Sequence, residues 1–322
     1  MPRLRLAAAA SAALALALTG CAASAAPATT PSAAGAVTVS NCGTPVTFDA
    51  APQRVVTIKS TSTEMLLALG LGDRIVGTAF PDGPVPAEWA DAARDVPTIS
   101  DFMPSEEAVL ELEPDLVYSG WESAFSADGA GERSELASLG VNSYVQPAAC
   151  RSAQVPGKLS FDEIFREIDE VAAIFRVDDA DLIAQQKQQL DAIVPDDRGL
   201  TALWYSSGTD TPYVGAGIGA PELVLETAGL TNIARDIDMT WTSMGWESIV
   251  EADPDVIVLI DADWNTAQSK IDLLESNPAT ARLSAVRDKR YLVLPFASSE
   301  AGVRTVSAAA SLVDQLKELR IG

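Results

Sequence analysis

The chain has 322 residues and a formal net charge of −23 at pH 7, from 45 acidic and 22 basic side chains, with no histidine. That charge disfavours nucleic acid and anionic membrane surfaces as partners. The lack of imidazole excludes hydrolysis by a His-assisted nucleophile and removes the commonest transition-metal ligand. No GxGxxG run, P-loop or cysteine cluster occurs, and the acids show no calcium-loop spacing, so no metal, no cofactor and no enzymatic activity are expected.

At the N-terminus, Arg3 and Arg5 precede an Ala/Leu run from Leu6 to Leu18. The run is shorter than the roughly 20 apolar residues of a membrane span, so residues 1–20 read as an export signal. Leu18-Thr19-Gly20-Cys21 resembles a bacterial lipobox, which implies cleavage before Cys21 and a lipid on its sulfur; the alternative is an ordinary leader with a chance cysteine. Residues 21–40 read as a tether, because Ala22 to Ala36 is Ala, Ser, Thr and Pro with little large apolar surface. Removing the leader takes away two basic side chains and no acid, so the mature chain is more acidic still. Cys42 and Cys150 then remain, either as a disulfide in an oxidising exterior or as two free thiols.

The length suits two α/β lobes, expected at residues 41–177 and 197–322 with an interlobe helix over 178–196. In the first lobe Val37 to Phe48 alternates as a strand pair, and Arg54 to Ile58 is a short buried strand opening into a polar loop from Lys59 to Thr63. A helix from Glu64 to Leu69 stops at Gly70, and strands follow at Arg74 to Gly77, Asp115 to Tyr118 and Asn142 to Val145. Ile164, Phe165, Ile168, Val171 and Phe175 trace one helical face; the next helix, Asp179 to Ile193, is polar on most sides, as befits a solvent-bridging element. The second lobe reads as strands at Leu200 to Tyr205, Val256 to Ile260 and Tyr291 to Leu294, with helices at Pro221 to Ala228 and Val303 to Leu319. Tyr213 to Gly219 and Ile233 to Met239 carry no decisive pattern.

The lobes echo each other. EAVLELEPDLV at Glu107 to Val117 returns 140 positions later as ESIVEADPDVI at Glu247 to Ile257, in each copy a helix stopped by Pro114 or Pro254 and followed by a buried strand. STEMLLALGL at Ser62 to Leu71 is likewise similar to APELVLETAGL at Ala220 to Leu230.

The lipobox, the tether, RVVTI with its STEMLLALGLGDRIVG continuation, and both EAVLELEPDLV and ESIVEADPDVIVL resemble the iron-siderophore and vitamin B12 class of ABC-importer substrate-binding proteins, over Val46 to Leu319. The resemblance implies two mostly parallel α/β lobes joined by one long helix, a ligand cleft between them, and a monomer anchored outside the cell membrane by lipid. It implies an ABC permease and its ATPase as partners, with Glu107 and Glu247 docking on permease arginines; the alternative is that both are first-turn helix acids favoured by the macrodipole. TIKSTSTEMLLALGLGDRIVGTAFPDGP, SADGAGER, LWYSSGTDTPYVGAGIGAPE and NTAQSKIDLLESNPAT are similar to a narrower actinobacterial group thought to import the lactyl-phosphodiester precursor of the 8-hydroxy-5-deazaflavin coenzyme. Ferric siderophore or corrinoid binding, or a cell-surface lipoprotein without transport, are the alternatives.

Ligands of open α/β sheets sit outside the carboxyl ends of strands, so the loops after the predicted strands supply the candidates for a small-molecule site. These are Lys59, Ser60 and Thr61 after the first strand, Trp121 after DLVYS, Trp204 and Tyr205 at TALWY, Tyr213, Trp241, Trp264 and Arg304. Tryptophan and tyrosine suit a planar ring system or a large chelate, although Trp204 equally suits a lobe core. Lys59 and Arg304 either neutralise a phosphodiester or carboxylate or serve internal ion pairs, Arg304 with Glu300 one helical turn away.

Overall fold

The computed structural model describes residues 35–151 and 157–319. The export signal, Cys21 and most of the tether lie outside the described residues. The chain opens with a hairpin, β1 (Val37–Asn41) and β2 (Thr44–Phe48), whose two turn residues Cys42 and Gly43 both have positive φ, as a type I′ turn requires.

The first lobe continues through β3 (Val55–Ile58), α1 (Ser60–Ala68), β4 (Ile75–Ala79), α2 (Ala90–Ala93), β5 (Thr98–Ser100), α3 (Glu106–Leu110), β6 (Leu116–Ser119), α4 (Arg133–Ser138) and β7 (Asn142–Val145). Its sheet runs β5-β4-β3-β6-β7 with every pairing parallel. Helices cover the faces, which is why Val55, Val56, Thr57 and Ile58 are all buried rather than alternating. The order reverses at β3 and β6, creating a crevice at their carboxyl ends.

Two helices link the lobes, α5 (Phe161–Phe175) and α6 (Ala180–Asp191). Ser160 and Glu163 form a capping box at the start of α5, and Arg176, in the left-handed region at φ 58°, ends it. The left-handed residue separates the two helices, and α6, at Ala180–Asp191, lies within the stretch expected to join the lobes. Leu182, Ile183 and Leu190 of α6 pack on the first-lobe core, while buried Gln186 donates to the Val303 carbonyl of the second lobe at 2.7 Å.

The second lobe contains β8 (Thr201–Ser207), β9 (Tyr213–Gly215), α7 (Ala220–Ala228), β10 (Thr231–Asn232), β11 (Trp241–Ser243), α8 (Trp246–Ala252), β12 (Val256–Asp261), α9 (Ala267–Ser276), α10 (Ser284–Arg287), β13 (Tyr291–Pro295) and α11 (Thr305–Glu318). Its order is β11-β9-β8-β12-β13, parallel through β8, β12 and β13, with β9 and β11 antiparallel at one edge and β10 beside β8. The sequence echo is also a backbone echo: Glu113 and Asp253, 140 positions apart and each just before the repeated proline, adopt φ values of 46° and 38°. The lobes share core around α5, where Ala220, Ala301 and Val303 join the first-lobe cluster.

Three further differences from the sequence reading have local causes. Helix α1 begins at Ser60 and not at Glu64, because its buried hydroxyls bond back to preceding carbonyls, as Ser62 Oγ does to Ile58 O at 2.7 Å. Strand β5 has only three residues and no apolar alternation to announce it. Strand β9 lies in a stretch that carried no decisive pattern and pairs with β11, forming an antiparallel flap.

Candidate functional site

The crevice of the first sheet is built around the end of β3. Lys59 has φ 78° and ψ 149°, an orientation costly for a side-chain-bearing residue, and α1 follows immediately. Asp82 sits at the start of that helix, accepting from the Ser60 amide at 3.2 Å while its own amide donates to Ser60 Oγ at 2.8 Å. The Lys59 ammonium turns inward to form an ion pair with Asp82, and the residue is completely buried. It lies 3.9 Å from the ring centre of Phe80 and 4.0 Å from that of Trp121 in the first lobe, and 4.7 Å from Phe296 and 5.7 Å from Trp264 in the second. Glu300 of the second lobe accepts from the Trp121 indole and, at 2.8 Å, from Thr61 Oγ1. Burial, reinforced by the nearby Asp82 charge, pushes the Glu300 carboxyl up to about 7.

Beside this cluster a cavity of about 590 Å³ opens between the lobes and α5. Trp121, Gln146, Glu167, Tyr213, Trp241 and Glu300 contribute to its wall. The Tyr213 and Trp241 rings stack at 5.9 Å with 14° between their planes, a flat apolar surface created by the β9–β11 flap. Glu122, Glu163 and Glu170 add carboxylates, and exposed Arg151 and Arg166 are the basic residues of the lining. Burial raises Glu167 to about 8, partly countered by hydrogen bonds from Tyr118 and Gln146. Tyr118 OH lies 3.2 Å from Glu167, and Tyr144 OH donates to Glu170 at 2.6 Å.

The structure thus divides the sequence candidates. Trp121, Tyr213 and Trp241 border the cavity; Lys59, Thr61 and Trp264 belong to the adjoining aromatic cluster; Ser60 caps Asp82. Trp204 and Tyr205 belong to neither. They lie on β8, a central strand covered on both faces, so they point into opposite cores, 0% and 1% exposed, and the Tyr205 hydroxyl is used by Gly208 O at 2.5 Å. Arg304 does not face the cavity either. It grips Glu64 of the other lobe with two bonds of 2.7 and 2.6 Å, rather than Glu300. Burial raises Glu64 to about 6, and Arg304 restrains that rise. Phe80, Asp82, Gln146 and Glu167 were not singled out from sequence. Glu167 alone had a readable signal, an acid inside the apolar stripe formed by Ile164, Ile168 and Val171.

Glu107 and Glu247 stand exposed in the first turns of α3 and α8, at equivalent positions of the repeat. The structure joins Cys42 to Cys150 in a disulfide, resolving the alternatives left open by the sequence.

Two mostly parallel α/β lobes thus enclose a lined cavity between them. A family model described as Periplasmic binding protein matches residues 55–297, and the chain belongs to that family. It is 26% identical over 281 residues to the uncharacterized ABC transporter substrate-binding lipoprotein YvrC of Bacillus subtilis, covering 84% of this chain and 82% of that protein. A cobalamin-binding protein of Halobacterium salinarum is 28% identical over 222 residues, 67% of this chain but 56% of its own length. Among solved structures, an ABC-type Fe3+-hydroxamate transport system protein from Saccharomonospora viridis superposes with a TM-score of 0.74 at 27% identity, covering 87% of this chain and 98% of that one.

Proposed function

We propose that this chain is the extracytoplasmic solute receptor of an ABC importer, anchored through lipid on Cys21, which captures a medium-sized ligand between its lobes and presents it to a permease. The observation that carries this reading is the cavity at the carboxyl ends of two equivalent sheets, bordered by Trp121, Tyr213 and Trp241. The deazaflavin lactyl-phosphodiester precursor is the cargo favoured by the sequence resemblance; the stacked Tyr213–Trp241 pair suits its planar ring. With Lys59 and Arg304 tied into ion pairs, the cations left for its phosphodiester are exposed Arg151 and Arg166, the latter only loosely paired with Glu163 at 3.9 Å. The carboxylates Glu122, Glu163 and Glu170 support a second reading, a ferric siderophore or corrinoid with donor groups or positive charge at its edge.

Titration of the soluble chain, begun after Cys21 and followed by tryptophan fluorescence, tests these readings. The deazaflavin precursor is expected to quench saturably with a dissociation constant of about 1 μM or tighter. A response only to a ferric siderophore or corrinoid would replace the cargo and leave the receptor role standing; no response to any of the three would remove the support for the role.

Docking is tested separately in whole cells. Glu107→Ala combined with Glu247→Ala is expected to reduce uptake about tenfold while leaving ligand titration unchanged, because exposed pairs orient an encounter more than they bind it. Unchanged uptake would return both glutamates to the role of helix first-turn acids.

A further inference from the structure

Phe80, Trp121, Phe296 and Trp264 form a closed ring of edge-to-face contacts. Their centres are 5.4 Å apart for Phe80 and Trp121, 6.2 Å for Trp121 and Phe296, 5.1 Å for Phe296 and Trp264, and 6.4 Å for Trp264 and Phe80. Two rings come from each lobe, so neither lobe alone contains the box. The lobes meet in the same place through the Asp263 amide, which donates to the Asp82 carbonyl at 3.2 Å, and through the Trp264 indole, 3.4 Å from the Asp82 carboxylate. The Trp264 loop is itself held in shape by buried Lys270, whose ammonium donates to Ile260 O, Asn265 O and Asn265 Oδ1 at 2.6 to 2.8 Å.

Four rings turned about one point, with a carboxylate beside them, are a receptor for an ammonium group. The ammonium here is the protein's own. Lys59 occupies a positive-φ position that glycine would take without steric cost, so its presence there favours a use for the side chain. Gly120 makes room for it: a Cβ on Gly120 would lie 3.1 Å from Lys59 Cβ and 2.5 Å from Thr61 Oγ1.

We propose that Lys59 is an intramolecular ligand of this box, that its ammonium latches the two lobes together, and that the vacated box is a binding site for alkylammonium ions. The latch itself rests on the two-lobed geometry; only its consequence for cargo rests on the solute-receptor reading. A lobe arrangement held shut by Lys59 makes the cavity beside it preformed, so loss of the latch lowers cargo affinity without removing any residue from the cavity wall.

The test measures lobe separation without cargo, by electron spin distance measurement between labels at Glu111→Cys and Arg287→Cys, both exposed and on different lobes. Lys59→Gly accepts the backbone angle and deletes the side chain; Lys59→Met keeps the length and deletes the charge. Both are expected to lengthen and broaden the distance distribution. Millimolar n-butylammonium, the side chain in free form, is expected to restore the Lys59→Gly distribution, while n-butanol is not. Wild-type distributions in both variants would overturn the latch, and equal rescue by butanol would overturn the role of charge. Should the Lys59 variants fold poorly, Trp264→Ala breaks the box from an exposed loop, and an unchanged distribution there would also overturn the proposal. A failed latch leaves cargo titration of the wild-type chain unaffected, and a failed titration leaves the distance measurement intact.

Discussion

Glu167→Gln is expected to leave stability nearly unchanged at about pH 4 and to raise it progressively as the pH climbs to about 9, because Glu167 moves from 4.5 in the unfolded chain to about 8 in the fold. The folded state therefore holds a proton that the unfolded state has released, and each step of pH through that interval favours unfolding. The full linkage is on the order of 5 kcal/mol, reduced to the extent that water reaches the cavity wall. Neighbouring groups do not supply a competing signal. The Tyr118 and Tyr144 phenols are raised well above their ordinary value by burial and stay protonated throughout, and glutamine still accepts from Tyr118. Glu64 and Glu300, raised to about 6 and about 7, give the wild type the same direction of pH dependence. The difference between wild-type and variant urea-unfolding curves at each pH isolates Glu167. Parallel curves from acid to alkali would mean that the carboxyl ionises freely in the folded protein.

The fold was legible where pattern follows burial. Val55 to Ile58, Leu116 to Ser119 and Val256 to Ile260 are apolar runs because both sheet faces are covered, and the prolines at 114 and 254 mark the ends of the helices before two of them. The repeat told more than composition could, since an insertion-free offset of 140 preserves helix, left-handed turn and strand together. Less legible were elements made by tertiary partners. Ser60 to Thr63 look like a loop by propensity, yet their hydroxyls are satisfied by β3, β4, Asp82 and Glu300, which lets the helix start a turn earlier.

The site divided along the same line. A tryptophan with polar neighbours, such as Trp121 or Trp241, reads as a cleft candidate in the sequence, and both border the cavity. Trp204, inside an apolar run, suits core and cleft equally by sequence, and its position on a central strand decides for the core. Lys59 drew notice as a cation in an acidic chain, but the partners that remove it from the cavity come from Asp82, Trp264 and Phe296, distant in sequence and silent in periodicity. The same holds for Arg304, whose partner Glu64 lies 240 residues away across the lobe boundary.

Replacing both Cys42 and Cys150 with serine is expected to lower the unfolding free energy by about 4 to 5 kcal/mol, the chain-entropy value for a loop of this size. The bond closes a separation of 108 residues and ties the turn of the β1–β2 hairpin to the segment after β7. That hairpin shields the edge of the first sheet: the Asn41 side chain donates to Val145 O at 2.6 Å and accepts from the Val145 amide at 2.8 Å, mimicking a strand, while Arg133 clamps Asn41 and Ser143. These bonds remain in the variant, so the folded state is expected to survive with its loss expressed mainly through the freer unfolded chain. The same substitution loosens Gln146 to Arg151, which border the cavity, so cargo affinity is expected to fall with stability. Urea unfolding of the oxidised wild type, the reduced wild type and the double variant checks the first effect, and the two reduced forms are expected to coincide. A loss below about 1 kcal/mol would show that the Asn41 and Arg133 bonds already hold the hairpin in place and that the unfolded chain gains little freedom. A loss of the expected size ties folding to an oxidising compartment, since a protein that forfeits that much stability on reduction is suited to the outside of the membrane and not to the cytosol.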